Sequence, residues 1–191
     1  AVATLMFDAG AAAHMTYSAN ESGANDINAA SAFVYNFQYD SLALKYRIRE
    51  LYSDNEWQDM VYGELEKKNP IFYAASDTIN GGHAFLFDGI DTDGKIHVNW
   101  GWDSSCDGYY DIMDLSPKGL FDKNTTYHFN SYSSMIFGFK PQSKPDAMDS
   151  DIPVLLADHK FAFKPTQYKD SVDISIHGIY NYNYRNFIGK V

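Results

Sequence analysis

His83 follows the pair Gly81-Gly82 in "GGHAFLFDGI", and sixteen residues later Asn99 opens "NWGW". A histidine titrates close to neutral pH, so it can take a proton from a nucleophile and pass it on to a leaving group. An asparagine can hold one imidazole nitrogen without adding charge, leaving the other for the reacting atom. Between the two lies "DTDG", residues 91–94, which is hairpin chemistry. The flanking runs are therefore expected to pair and to bring the Asn99 side chain to the His83 ring. Trp100 or Trp102 would cover that contact and keep water from it. Gly81 and Gly82 have no Cβ, so a substrate backbone could approach them closely. Taken singly, a strand histidine satisfied by a neighbour and tryptophans that fill a core are the better readings. The set and its spacing point to a site that activates a nucleophile.

The nucleophile itself is the difficulty. The chain has one cysteine, Cys106, between Asp103 and Asp107 in the turn from "NWGW" to "GYYD". A reactive thiolate is favoured by a helix N-terminus or a neighbouring cation; Cys106 has carboxylates beside it and suits a glycine-aided bend. The sulfur is therefore expected from polypeptide outside this sequence, either a companion chain or an upstream segment.

The elements that must position these residues can be read from periodicity. "AVATLMFDAG" spaces Val2, Leu5, Met6 and Ala9 as a helix, with Gly10 as its stop. It reads like the middle of a helix, as if the chain began at an internal break. "ANDINAASAFVYNF" places Ile27, Ala30, Phe33, Val34 and Phe37 on one helical face behind a Ser22 cap. "LALKYRIREL" alternates as a strand. "SDNEWQDMVYGELEKKNP" opens on a capping box of Ser53 and Glu56, buries Trp57, Met60, Val61 and Leu65, and ends at Pro70. From there the period becomes two: "PIFYAAS", "HAFLFDGI", "KIHVNWG", "GYYDIMD" and "SMIFGFK" are strands of an antiparallel sheet. Helices first and strands afterwards predict an α+β domain with a cleft where the layers meet. This domain is expected over residues 1–141, with a Pro/Ser/Asp-rich linker at 142–153 and a partial β-sandwich-like segment at 154–191.

Composition narrows the partners. The formal charge of −10 argues against nucleic acid and anionic lipid surfaces. A single cysteine allows no internal disulfide, and no apolar run reaches membrane-spanning length. Asp88, Asp91, Asp93 and Gly94 lack the remaining ligands of a calcium loop, and His14, His97, His128, His159 and His177 lack metal-ligand spacing. No metal or cofactor is expected. Asn20-Glu21-Ser22 and Asn124-Thr125-Thr126 fit a glycosylation pattern. "YNYNYRNF" sets Tyr180, Tyr182 and Tyr184 on one side of a strand, a pattern that a carbohydrate or adhesion surface could use but that sandwich packing explains better.

The run "GGHAFLFDGID…IHVNWGW…DGYY" closely resembles the histidine-asparagine segment of the streptopain family of bacterial cysteine peptidases, which have a papain-like fold. The likeness extends upstream through "LMFDAGAAAHMTYSANESGA" and downstream to "SMIFGFKP", covering residues 1–141. Position by position it implies His83 as the catalytic histidine, Asn99 as its orienting partner and Trp100 as the shielding indole. Gly82 and the stretch Ser22, Gly23 and Ala24 would line the substrate cleft, together with Gly81. It implies an endopeptidase acting on proteins or peptides, controlled by a propeptide and secreted, periplasmic or at the cell surface. Two departures stand out. The Gly-Cys-Val-Ala-like motif that carries the family's nucleophile is not in this chain, and "LFDKNTTYHFN" replaces the glycine-rich loop that some members place before their last strand. The first departure leaves a rival open, an inactive homologue that holds a peptide or inhibitor in a retained cleft.

Overall fold

A computed structural model describes residues 1–19, 21–119 and 125–142 in full, and beyond them the backbone of strands 155–157, 163–167, 172–176 and 179–181. Contacts divide the chain into two units, Ala1–Ser143 and Lys144–Val191.

The first unit begins with α1 (Val2–Ala12) and a short antiparallel pair, β1 (Thr16–Tyr17) with β2 (Ser22–Gly23). Gly10 does not stop α1, contrary to expectation. The helix continues to Ala12, and Gly10 is buried inside it because a Cβ there would lie 1.8 Å from the Tyr17 hydroxyl. Close approach, not termination, is what selects glycine here. Helix α2 (Asp26–Tyr35) is capped by Asn25, whose side chain accepts from the Ile27 N–H; Ser22, the expected cap, sits in β2 instead. Ser22 is simply too far upstream to reach the first free N–H groups of this helix. Strand β3 (Lys45–Ile48) leads through a 3-10 turn (Arg49–Leu51) to α3 (Asp54–Leu65), where Ser53 and Glu56 form the expected capping box.

Strands β4 (Ile71–Asp77), β5 (Gly81–Ile90), β6 (Ile96–Asn99), β7 (Gly108–Tyr110) and β8 (Ser131–Phe137) join β3 in one antiparallel sheet ordered β3-β8-β4-β5-β6-β7. Neighbouring residues of a strand point to opposite faces, and β4 separates the helices in this way. Its Phe72 meets Phe33 of α2 at 6.2 Å, whereas its Tyr73 meets Trp57 of α3 at 6.0 Å. The α3 side holds the main core, in which Trp57, Val61 and Leu65 pack on Ile71, Tyr73, Phe85 and Phe87. Burying each such aliphatic or aromatic side chain contributes roughly 1.5–3 kcal/mol, so this layer is the rigid base for whatever β5 presents.

In the second unit the described backbone comprises two antiparallel pairs, β9 (Leu155–Ala157) with β12 (Ile179–Asn181) and β10 (Phe163–Gln167) with β11 (Val172–Ile176). Tyr180 lies in β12. Tyr182, Tyr184, His159, His177 and most of the expected linker lie outside the described residues, as do Asn20 and Asn124.

Candidate active site

The site begins at a turn. β4 ends on Asp77, which is paired with Gly81 at the start of β5. The Asp77 carboxylate accepts from the N–H groups of Ile79 (2.7 Å) and Asn80 (2.9 Å), from Asn80 Nδ2 (3.0 Å) and from the His128 N–H (2.7 Å). Burial pushes this carboxyl up, but the hydrogen bonds from Asn80, Ile79 and His128 outweigh it and hold it well below the usual carboxylate range. The anchored turn presents Gly81 and Gly82 to solvent and His83 next to them, half-buried.

His83 Nε2 lies 2.8 Å from the carbonyl oxygen of Trp100. A carbonyl can only accept, so Nε2 carries the proton and Nδ1 is left as the basic nitrogen. Burial lowers the proton affinity of the ring from its ordinary value, and the Trp100 carbonyl partly restores it. Phe85 and Phe129 flank the imidazole at 5.8 and 5.7 Å, and Trp102 lies flat against it, with centroids 4.5 Å apart and planes 20° apart.

Two expected contacts take a different form. The Asn99 side chain does not reach His83. Asn99 is opposite Leu86 in the β5–β6 ladder, three positions from His83 and of opposite parity, so its side chain belongs to the other face. Asn99 Oδ1 instead accepts from the Gly101 N–H at 2.9 Å and so closes the turn that aims the Trp100 carbonyl. Nor does the Trp100 indole cover a His–Asn bond. It is fully buried against Phe85 at 4.5 Å, and Trp102 takes the place over the imidazole. Register, which sets Asn99 opposite Leu86, and the turn at Gly101 decide which tryptophan lies on the histidine.

Ser22, Gly23 and Ala24 are exposed and lead into the N-terminus of α2. Asp26 of that helix accepts from the Tyr46 hydroxyl at 2.9 Å and from the Ser134 hydroxyl. Ser134 pairs with Ala74, and Ala74 with Ala84, the residue after His83. That attachment is on the face of the sheet to which Ala74 and Ala84 point, opposite to the His83 side chain, so the structure does not bring Ser22–Ala24 together with His83.

Cys106 is not joined to this group. Its Sγ donates to the Lys118 carbonyl at 3.3 Å, and its neighbour Asp107 accepts from the Trp100 N–H at 2.8 Å. Asp107 and Phe129 are supports that sequence reasoning overlooked: the first reads only as a turn residue in "SCDG", the second as part of a bulky loop. In that loop the described arms pair around residues 120–124, Lys118 with Thr126, and Phe129 N–H with the Leu115 carbonyl at 3.0 Å, which seats Phe129 under His83. Among the described residues no group of His, Cys, Asp and Glu could hold a metal ion, and no helix is long and apolar enough to cross a membrane.

Comparisons with known proteins agree with this architecture. The Peptidase C10 family model matches residues 1–110. Streptopain of Streptococcus pyogenes is 32% identical over 141 residues, 74% of this chain and 35% of its own length. The thiol protease/hemagglutinin PrtT of Porphyromonas gingivalis is 32% identical over 143 residues, 75% of this chain and 16% of its own. Among solved structures, active interpain A, a cysteine protease of Prevotella intermedia, superposes with a TM-score of 0.61 at 34% identity, covering 71% of this chain and 54% of that one. A mutant prointerpain A fragment gives 0.57 at 36% identity, with 73% and 42% covered. The fold is the α+β, papain-like one, and the chain spans about a third of the length of streptopain.

Proposed function

Because the chain belongs to the Peptidase C10 family, we propose that it is the histidine-bearing part of a cysteine-type endopeptidase whose nucleophilic cysteine comes from polypeptide outside these residues. The observation that carries this reading is the hydrogen bond from His83 Nε2 to Trp100 O, which leaves Nδ1 as a base beside the open Gly81-Gly82 strip.

In the proposed reaction Nδ1 takes the thiol proton and forms a thiolate–imidazolium pair. The thiolate attacks the peptide carbonyl, the imidazolium gives its proton to the leaving amine, and water activated by the same ring releases the acyl group. Burial keeps the ring below its ordinary proton affinity, so it is neutral and available as a base at neutral pH. Asn99 acts indirectly, through the Gly101 N–H and the Trp100 carbonyl. Gly81 and Gly82, exposed beside His83, border the groove for a protein or peptide substrate, and the likeness to the family adds Ser22–Ala24 to it. The chemistry calls for no metal or cofactor.

A companion segment is supported by α1, whose Val2, Leu5, Met6 and Phe7 are 58–76% exposed; so contiguous an apolar surface fits an interface with further polypeptide. The prointerpain relative supports control by a propeptide, and with the other bacterial relatives it supports a secreted, periplasmic or surface location. A second reading, an inactive homologue that binds peptide or inhibitor, is favoured by the Cys106 thiol, which is turned to Lys118.

One experiment separates them. In the full-length protein, His83→Ala is expected to lower peptide hydrolysis by roughly a thousandfold or more and to abolish rapid labelling by a thiol-directed inhibitor. Undiminished turnover in the variant would remove His83 from the chemistry, and a wild type with neither turnover nor labelling would favour the binding protein.

A further inference from the structure

The imidazole of His83 is held from two directions. Its edge is fixed by the hydrogen bond to Trp100 O, and its face lies on the indole of Trp102 at 4.5 Å and 20°. Trp102 in turn is nearly parallel to Trp100, 5.4 Å away at 14°, with Tyr127 and Phe129 at 5.8 and 6.1 Å. The hydrogen bond alone would leave the imidazole free to tilt about it; the aromatic column does not.

The turn that presents Trp102 is strained. Gly101, Asp103, Ser104 and Cys106 all have left-handed backbone, with φ of 74°, 52°, 61° and 66°. Non-glycine residues adopt this region only where the surroundings impose it, and such clusters gather at functional sites. Here the Asn99 amide holds the Gly101 N–H, the Asp107 carboxylate holds the Trp100 N–H, and the Trp102 carbonyl accepts from the Ser105 N–H at 2.9 Å. Filling a core would need none of this, and Trp102 is only half-buried.

We propose that Trp102 is a positioning residue for His83, fixing the plane of the imidazole so that Nδ1 faces the groove and stabilising the imidazolium through its π face. The inference rests on the reading of His83 as acid and base. Its physical basis is the attraction of a cation to the negative face of an indole, which strengthens as water is excluded. It opposes the burial that disfavours the charged ring. Among the described residues, the other titratable groups on elements packed around His83 are Tyr73 and Asp77 on β4, Asp88 on β5, Asp103, Cys106 and Asp107 on the turn, and Tyr127 and His128 on the arm carrying Phe129. None of these pairs with the imidazole, so among the described residues the ring's charge is met by Trp102 and the Trp100 carbonyl, to which the full-length protein would add the thiolate.

The test replaces the indole in the full-length protein by a group that keeps water out but has no π face, Trp102→Leu, and by one that keeps the face, Trp102→Phe. The titration of His83 is followed by NMR, its signal assigned by its loss in His83→Asn. With Leu the midpoint should fall by roughly half a unit to one unit, and the alkaline limb of kcat/KM should move down with it, while KM changes little. Phe should restore both. A Leu variant that titrates like wild type, or Leu and Phe variants shifted alike, overturns the proposal. The NMR readout needs no turnover, so an inactive protein would sink the peptidase reading without touching the stack. A normal titration in the Leu variant, with His83 still essential, would sink only the stack.

Discussion

Gly81 and Gly82 stand side by side for different reasons. Gly81 has φ of +90°, a conformation that an L side chain enters only with strain of about 1–3 kcal/mol. Gly82 carries no such constraint, and a Cβ there would meet Ser76 Oγ at 3.4 Å and the Ala75 carbonyl at 3.8 Å, ordinary contacts. If substrate backbone runs over this strip, Gly82→Ala should lower kcat/KM about tenfold or more with the thermal midpoint nearly unchanged, whereas Gly81→Ala should lower the midpoint. Measuring both quantities on both variants checks the assignment, and an unaltered kcat/KM in Gly82→Ala would take that residue out of the groove. At this scale His83 and the glycines were legible as candidates, because the proposed chemistry demands those residue types. The sequence could not announce that Trp100 serves through its carbonyl, since every residue has one.

Among the elements, the β4–β5 turn governs how firmly His83 is presented, and Asp77 governs the turn. A carboxyl held below its usual range in the folded state contributes stability that is fully present above the unfolded value, near ~4, and is lost as pH falls through the folded value. The thermal midpoint of the wild type should therefore decline as pH drops from about 5 towards 2. Asp77→Asn should start lower at neutral pH, having lost charge-assisted hydrogen bonds, and should fall less steeply in acid. Parallel slopes for the two proteins would show that the carboxylate is not the charged anchor described. Elements carried by a local signal were legible: the Ser53–Glu56 capping box begins α3, and strict alternation marks β4 and β5. Ends set by distant contacts were not. Gly10 looks like a helix stop until Tyr17 is seen against it, and Asn25 caps α2 where Ser22 had seemed to.

For the molecule as a whole, α1 is the element whose surroundings are least explained by this chain. If further polypeptide covers it, Leu5→Asp in the full-length protein should cost a core-like amount, roughly 2–5 kcal/mol by denaturant unfolding; a cost within about 0.5 kcal/mol would mean that α1 faces water and would remove the apolar-surface argument for a companion segment. The amino-acid sequence alone determined the α+β class, the likeness to streptopain-type peptidases, the candidate histidine and the net negative charge, because periodicity, residue chemistry and net charge are local or additive properties of the chain. Tertiary structure alone decided that the Trp100 carbonyl and the Trp102 ring, not the Asn99 amide, meet the imidazole. The reason is geometric: side chains alternate across a strand, so one step of register between β5 and β6 moves Asn99 to the opposite face, and register is settled by the packing of the whole sheet.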